Sequence, residues 1–168
     1  MQVCLRPPGG DGETLGTTEE LLRRATGGVA QVFRYWDRKR GERDMPSPDD
    51  IDFLELRPWL PGIVLVEVTP GAPRDLIYRV VGDRAVRQRG YDPSGMSVRQ
   101  AAYGHSAGEA LAAYGLVVDR RLPLYCWNEP QEAAGQVSHT LALPLSRDGK
   151  VVDRVLVYGE DHAAAAPE

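Results

Sequence analysis

The sequence predicts an α+β fold built on one five-stranded antiparallel sheet, with helices on one face and a flanking helix at the N-terminus. Three observations predict it. Ile63 to Val68 and Leu76 to Val81 are β-branched and aliphatic runs joined by the turn TPGAPRD, which makes a hairpin. Residues 136–146 and 150–159 make a second hairpin around Asp148-Gly149, a strong two-residue turn signal. Between the hairpins, Ser106 to Asp119 reads as an amphipathic helix, and 122–128 as one more strand. Two strands, then helices, then a three-stranded meander fit a single antiparallel sheet. Placing the first hairpin beside the last strand gives the order 2-1-5-4-3.

Taken in order, residues 1–16 are rich in Pro and Gly without a hydrophobic period and are expected to be an unfolded tail. The flanking helix is expected over 17–42. Thr17 and Glu20 have the spacing of a capping box. Leu22, Thr26, Val29, Phe33 and Trp36 then recur at three- and four-residue steps, while Gly27-Gly28 bends the helix or splits it in two. The apolar face docks on its own domain or forms a homodimer interface; Leu22, Val29, Phe33 and Trp36 are the candidate interface residues. The charges of FRYWDRKRGERD read as a solvated face.

The main domain is expected over 43–160. MPSPDD breaks the chain, and Pro58 and Pro61 bracket Trp59 and Leu60, pinning them against something apolar. After the strand ending at Val81, Gly82 supplies a turn, Asp83 caps a short helix through Arg89, and Gly90 stops it. YDPSG is a further turn. In the fourth strand Val137, His139, Leu141, Leu143 and Leu145 share one face. Residues 161–168 are expected to be a second unfolded tail.

Composition sets the class. The 168 residues suffice for one domain, and 42% hydrophobic with 26% charged residues is ordinary for a globular protein. A net charge of -4 argues against a nucleic-acid binder. No apolar run approaches a membrane span and no signal-peptide pattern opens the chain, so a cytoplasmic location is expected. Cys4 and Cys126 form no metal or redox spacing and read as plain thiols.

Several stretches also resemble a known family. WDRKRG ending at Gly41, PSPDDID from Pro46, WLPG from Trp59, YRVVG from Tyr78, GYDPSG from Gly90 and the closing LALPLSRDGKVVDRVLVYG are similar to motifs of the alphaproteobacterial PAS-like family of small single-domain proteins. Together they span 33–159, most of the chain. Ser94 stands where the family usually has Thr. Arg87, Gln88 and Arg89 stand where it has an apolar stretch.

The resemblance implies a PAS fold and a non-catalytic sensory or signalling module. Such a domain cups a small molecule, or nothing, between the sheet and its short helices, and signals to a partner protein through the flanking helix. The candidate pocket residues are Tyr78, Val80, Val86, Tyr103, Leu111, His139 and Leu141, with both strand sets expected to meet on the inner sheet face. His139 reads either as a buried imidazole satisfied by a backbone carbonyl or as a ligand-contacting or haem-ligating group. Haem-binding PAS domains usually carry their histidine on a helix, and the flavin-type Asn-Cys-Arg-Phe motif is absent, so the cofactor stays unassigned. The alternative readings are a homodimerising scaffold without ligand and a small enzyme. No GxSxG, P-loop, GxGxxG or HExxH pattern supports the enzyme.

Overall fold

In the computed structural model, residues other than 8–11, 26, 102–105, 129–135 and 164–168 are described. A seven-stranded sheet runs through the molecule in the order β2-β1-β5-β6-β7-β3-β4. Its strands are β1 (Gln2–Arg6), β2 (Thr14–Thr17), β3 (Ile63–Val68), β4 (Leu76–Val81), β5 (Leu124–Trp127), β6 (Gln136–Leu145) and β7 (Arg154–Ala163). The helices are α1 (Thr18–Arg24), α2 (Gly27–Arg40), α3 (Asp83–Arg89) and α4 (Ser106–Arg120).

The expectation of a sheet of five strands, all antiparallel, is therefore corrected to seven strands of mixed type. Within the sheet β4-β3-β7-β6-β5 are consecutive, and β1 and β2 extend it beyond β5. β1 pairs parallel with β5, so the sheet is mixed. The expectation that 1–16 is an unfolded tail fails for the same reason. Val3, Cys4 and Leu5 are buried, and their strand covers what would otherwise be the open edge of β5. At the other end, β7 carries 161–163 into the sheet opposite Ser138, Val137 and Gln136.

Helices cover both faces, not one. Successive side chains on a strand alternate, and paired residues share a face. Ile63, Tyr125, Leu141, Leu143, Leu156 and Tyr158 line the first face through the pairs Tyr125↔Leu141, Leu141↔Tyr158 and Tyr158↔Ile63. α1 and α2 lie on it: Tyr125 reaches the Arg24 carbonyl, and Gly28 abuts the side chains of Tyr158 and Glu160. Leu124, Ala142, Val157, Val155 and Val66 line the second face, together with Tyr78. α4 covers that face, with Tyr114 beside Tyr78 and Cys126. Strands buried on both faces read as continuous apolar runs, as VLVY in β7 does, where all four residues are buried.

Local expectations are met or revised on physical grounds. The Thr17–Glu20 capping box forms, with both bonds present. The helix divides between Arg24 and Gly27, giving α1 and α2. Gly90 ends α3 at φ 81°, donating its N–H to Val86. Asp83 is not the cap; Gly82 holds that position without a side-chain bond. Gly82 has an ordinary φ of -67°, and what demands glycine is room, since a Cβ there would collide with the carbonyls of Leu60 and Pro61.

Candidate functional site

The seven candidate pocket residues do not meet in one place. β3 and β4 are out of regular register between Leu65 and Val66, so Val80 pairs with Leu65 while Tyr78 pairs with Val66. Tyr78 and Val80 therefore lie on different faces; Tyr78 is buried and Val80 is 37% exposed. Leu141 and His139 sit on the first face, under α1 and α2, whereas Tyr78 sits on the second, under α4. Val86 on α3 and Leu111 on α4 are half-buried. Tyr103 lies outside the described residues. The sheet itself separates the two halves of the expected pocket.

On the second face, side chains from β4, α3 and α4 form a polar cluster. Arg89, in the last turn of α3, extends over Tyr78, its guanidinium carbon 4.9 Å from the ring centroid. One terminal nitrogen donates to the Tyr78 hydroxyl at 3.0 Å and the other to the Ala101 carbonyl at 3.2 Å. The Tyr114 phenol is pushed up in pKa by burial, with Tyr78 and Arg89 among its neighbours. The Arg89 guanidinium offers planar, directional donors beside these two buried phenols. Arg89 belongs to the very stretch where the chain departs from the family's apolar pattern, and that departure was the available signal for it.

On the first face, His139 is buried, and its partner is a side chain rather than a carbonyl. Nδ1 lies 2.7 Å from the Tyr125 hydroxyl. The two rings stack, and His162 meets His139 edge-on with centroids 5.6 Å apart. Burial, reinforced by His162, pushes the His139 pKa below its ordinary value. Burial and then Glu160 push Tyr125 up to about 12.

Glu160, opposite His139 on β7, is also buried. Its carboxylate accepts the Val29 N–H at 3.1 Å and the Tyr158 hydroxyl at 3.0 Å, with His162 Nε2 at 3.2 Å. Val29 N–H is one of the first amides of α2, which have no partner inside the helix. A strand carboxylate thus does the work of a helix cap. The close approach requires Gly28, because a Cβ there would overlap both the carboxylate and the Tyr158 hydroxyl. The Gly27-Gly28 pair, which reads in sequence only as an interruption, was the signal for this contact.

The four candidate interface residues are placed by the same docking. Val29, Phe33 and Trp36 are fully covered within the chain, and Leu22 packs against the core half-buried. Trp36 also donates its indole N–H to the Pro144 carbonyl at 2.9 Å. The exposed apolar face that motivated a dimer is spent on the chain's own sheet.

Among the described residues, no group of three or more His, Cys, Asp or Glu side chains is placed to hold a metal ion. Both thiols are pushed up in pKa by burial, Cys126 to about 11, which leaves them weak nucleophiles at neutral pH. His105 lies outside the described residues. No helix among the described residues is long and apolar enough to cross a membrane. A family model described as a PAS domain matches residues 25–157. No curated protein matches the chain.

Proposed function

Since the chain belongs to the PAS domain family, we propose that it is a sensory or signalling module without a catalytic step of its own, which takes a small ligand at the polar cluster between the second sheet face, α3 and α4. The observation that carries this reading is the Tyr78–Arg89–Tyr114 cluster. Ligand sites are mostly apolar with a few converging polar groups; here one guanidinium and two phenols converge, and Leu111, one turn before Tyr114 on α4, packs half-buried against the core. The polar groups suit a ligand with an acidic or hydrogen-bond-accepting head and an apolar body.

The same sheet carries α1 and α2 on its other face. A ligand that shifts β4 or β6 changes the surface on which these helices rest, and they are the elements through which a partner protein would read the state.

Mass spectrometry of protein purified natively and then denatured tests the proposal. The expected result is a small molecule retained by the wild type and by a conservative control, Val80→Ile, and lost on Arg89→Met and Tyr114→Phe. Protein that carries no small molecule, and binds none that Arg89→Met fails to bind equally well, would leave a ligand-free interaction scaffold as the function.

A further inference from the structure

Apart from that cluster, a groove of about 440 Å³ lies between the turn after β3, the end of α4 and the β6–β7 loop. Val68 and Val152, both buried, and Val118, half-buried, form its apolar part, and Val151 stands at its side 64% exposed. An alkyl group lying on these valines would remove apolar surface from water. Among the charges that line the groove, Arg74 is matched by Asp119 through two bonds, at 2.6 and 3.1 Å.

The remaining charges are not matched. Glu67 is the common partner of Arg79, which bonds it directly, and of Arg154, which comes only to 3.9 Å. The bond from Arg79 first, and then the charges of Arg154 and Arg147, hold the Glu67 carboxyl below its ordinary pKa, so three guanidiniums surround one carboxylate. Asp153 offers the groove no acceptor: Oδ2 takes the Arg147 backbone N–H at 2.8 Å, and Oδ1 is buried. The Arg147 side chain is 60% exposed and meets Asp49, itself 78% exposed, only at 3.6 Å. An exposed pair of that kind contributes little and exchanges readily for a better-placed anion. Arg154 spends one terminal nitrogen on the Asp153 carbonyl at 2.8 Å. Even with the buried Asp153 charge set against them, the guanidiniums leave a positive surplus, carried by Arg147 and Arg154, whose carboxylate partners are distant.

We propose that this groove is a second ligand site, for a small aliphatic carboxylate held by Arg147 and Arg154 with its alkyl chain on the valines. Guanidinium donors match the two oxygens of a carboxylate, and a single negative charge cancels the surplus. An amine or a zwitterion would bring an ammonium group among arginines, where no open acceptor receives it. A bare inorganic anion would leave the valines in water. The volume suits a single small molecule.

Calorimetric titration of the full chain with straight-chain carboxylates from acetate to hexanoate, compared with hexylamine, 1-hexanol and inorganic phosphate, tests the inference. Affinity should rise with each added methylene, by up to about fourfold. Hexanoate should bind more tightly than hexanol or phosphate, and hexylamine should not bind. Arg147→Ala should weaken hexanoate by about ten- to a hundredfold, the loss of one charge-assisted hydrogen bond, and leave the weaker binding of hexanol unchanged. Val151→Asp, which sets a negative charge at the side of the groove, should also weaken hexanoate. Both replaced side chains are exposed, so thermal melts should show both variants folded. The Arg89 cluster also suits an acidic head, so Arg89→Met is titrated in parallel and should leave the binding governed by Arg147 intact. Absence of binding at millimolar concentration, phosphate binding as tightly as hexanoate, or binding that Arg89→Met removes and Arg147→Ala does not, would overturn the proposal.

Discussion

Glu160→Ala should loosen the start of α2 and lower the stability of the whole domain. The carboxylate it removes accepts the Val29 amide at 3.1 Å and the Tyr158 hydroxyl at 3.0 Å in a buried setting. A hydrogen bond to a charged group contributes about 1.5–3 kcal/mol. A carboxylate at a helix N-terminus contributes about 0.3–1 kcal/mol more through the helix dipole. Allowing for relaxation, the loss should be about 2–4 kcal/mol, near the upper range for one substitution. For a chain of this size that lowers Tm by roughly 4–15 °C.

Circular dichroism melts and urea titration measure the loss, and hydrogen exchange locates it. The amides of α2's first turn should exchange faster than those near Trp36, which the indole bond to Pro144 still anchors. Glu160→Gln keeps an acceptor and should lose about half as much. Gly28→Ala should imitate the alanine variant in direction, because its methyl group drives the carboxylate away. A Glu160→Ala protein melting within about 2 °C of wild type would refute the reasoning, since even about 1 kcal/mol should exceed that shift.

Three further outcomes follow from the same face of the sheet. His139 has a pKa held below its unfolded value, so its contribution to stability is complete above about pH 6.5 and is lost as pH falls from there through the folded pKa; melts between pH 7 and 5.5 should steepen in the wild type and flatten in His139→Gln, and identical slopes would show that His139 does not titrate into instability. His139→Leu should also cost about 1–3 kcal/mol by urea titration, because Tyr125 keeps only a long bond to the Arg24 carbonyl at 3.4 Å. Removing residues 1–42 should give protein that aggregates in light scattering, because Tyr125, Leu141, Leu143 and Leu156 lose their cover and β5 its neighbour; a folded, soluble monomer would contradict the docking of α2 on its own sheet.

The sequence by itself determined the local elements. β3 and β4 occupy the expected spans, α4 departs from its expected end by one residue, and the capping box at Thr17 and the left-handed stop at Gly90 stand where their residue types require them. These are short-range effects: a cap, a turn glycine and a β-branched run act on the nearest few residues. The tertiary structure decided what no local pattern encodes. The period of Leu22, Val29, Phe33 and Trp36 shows that a helix face is buried, but the surface burying it could equally be a second chain or the sheet. Val3 to Leu5 form a strand only because β5 offers a parallel edge more than a hundred residues away in sequence. The faces are divided in the same way. Alternation in β6 groups His139 with Leu141, yet the half-buried helices on both sides, and the slipped register between Leu65 and Val66, send Tyr78 to the opposite layer. Apolar runs such as VLVY carry the trace of a sheet covered twice, since a strand with one wet face would alternate there.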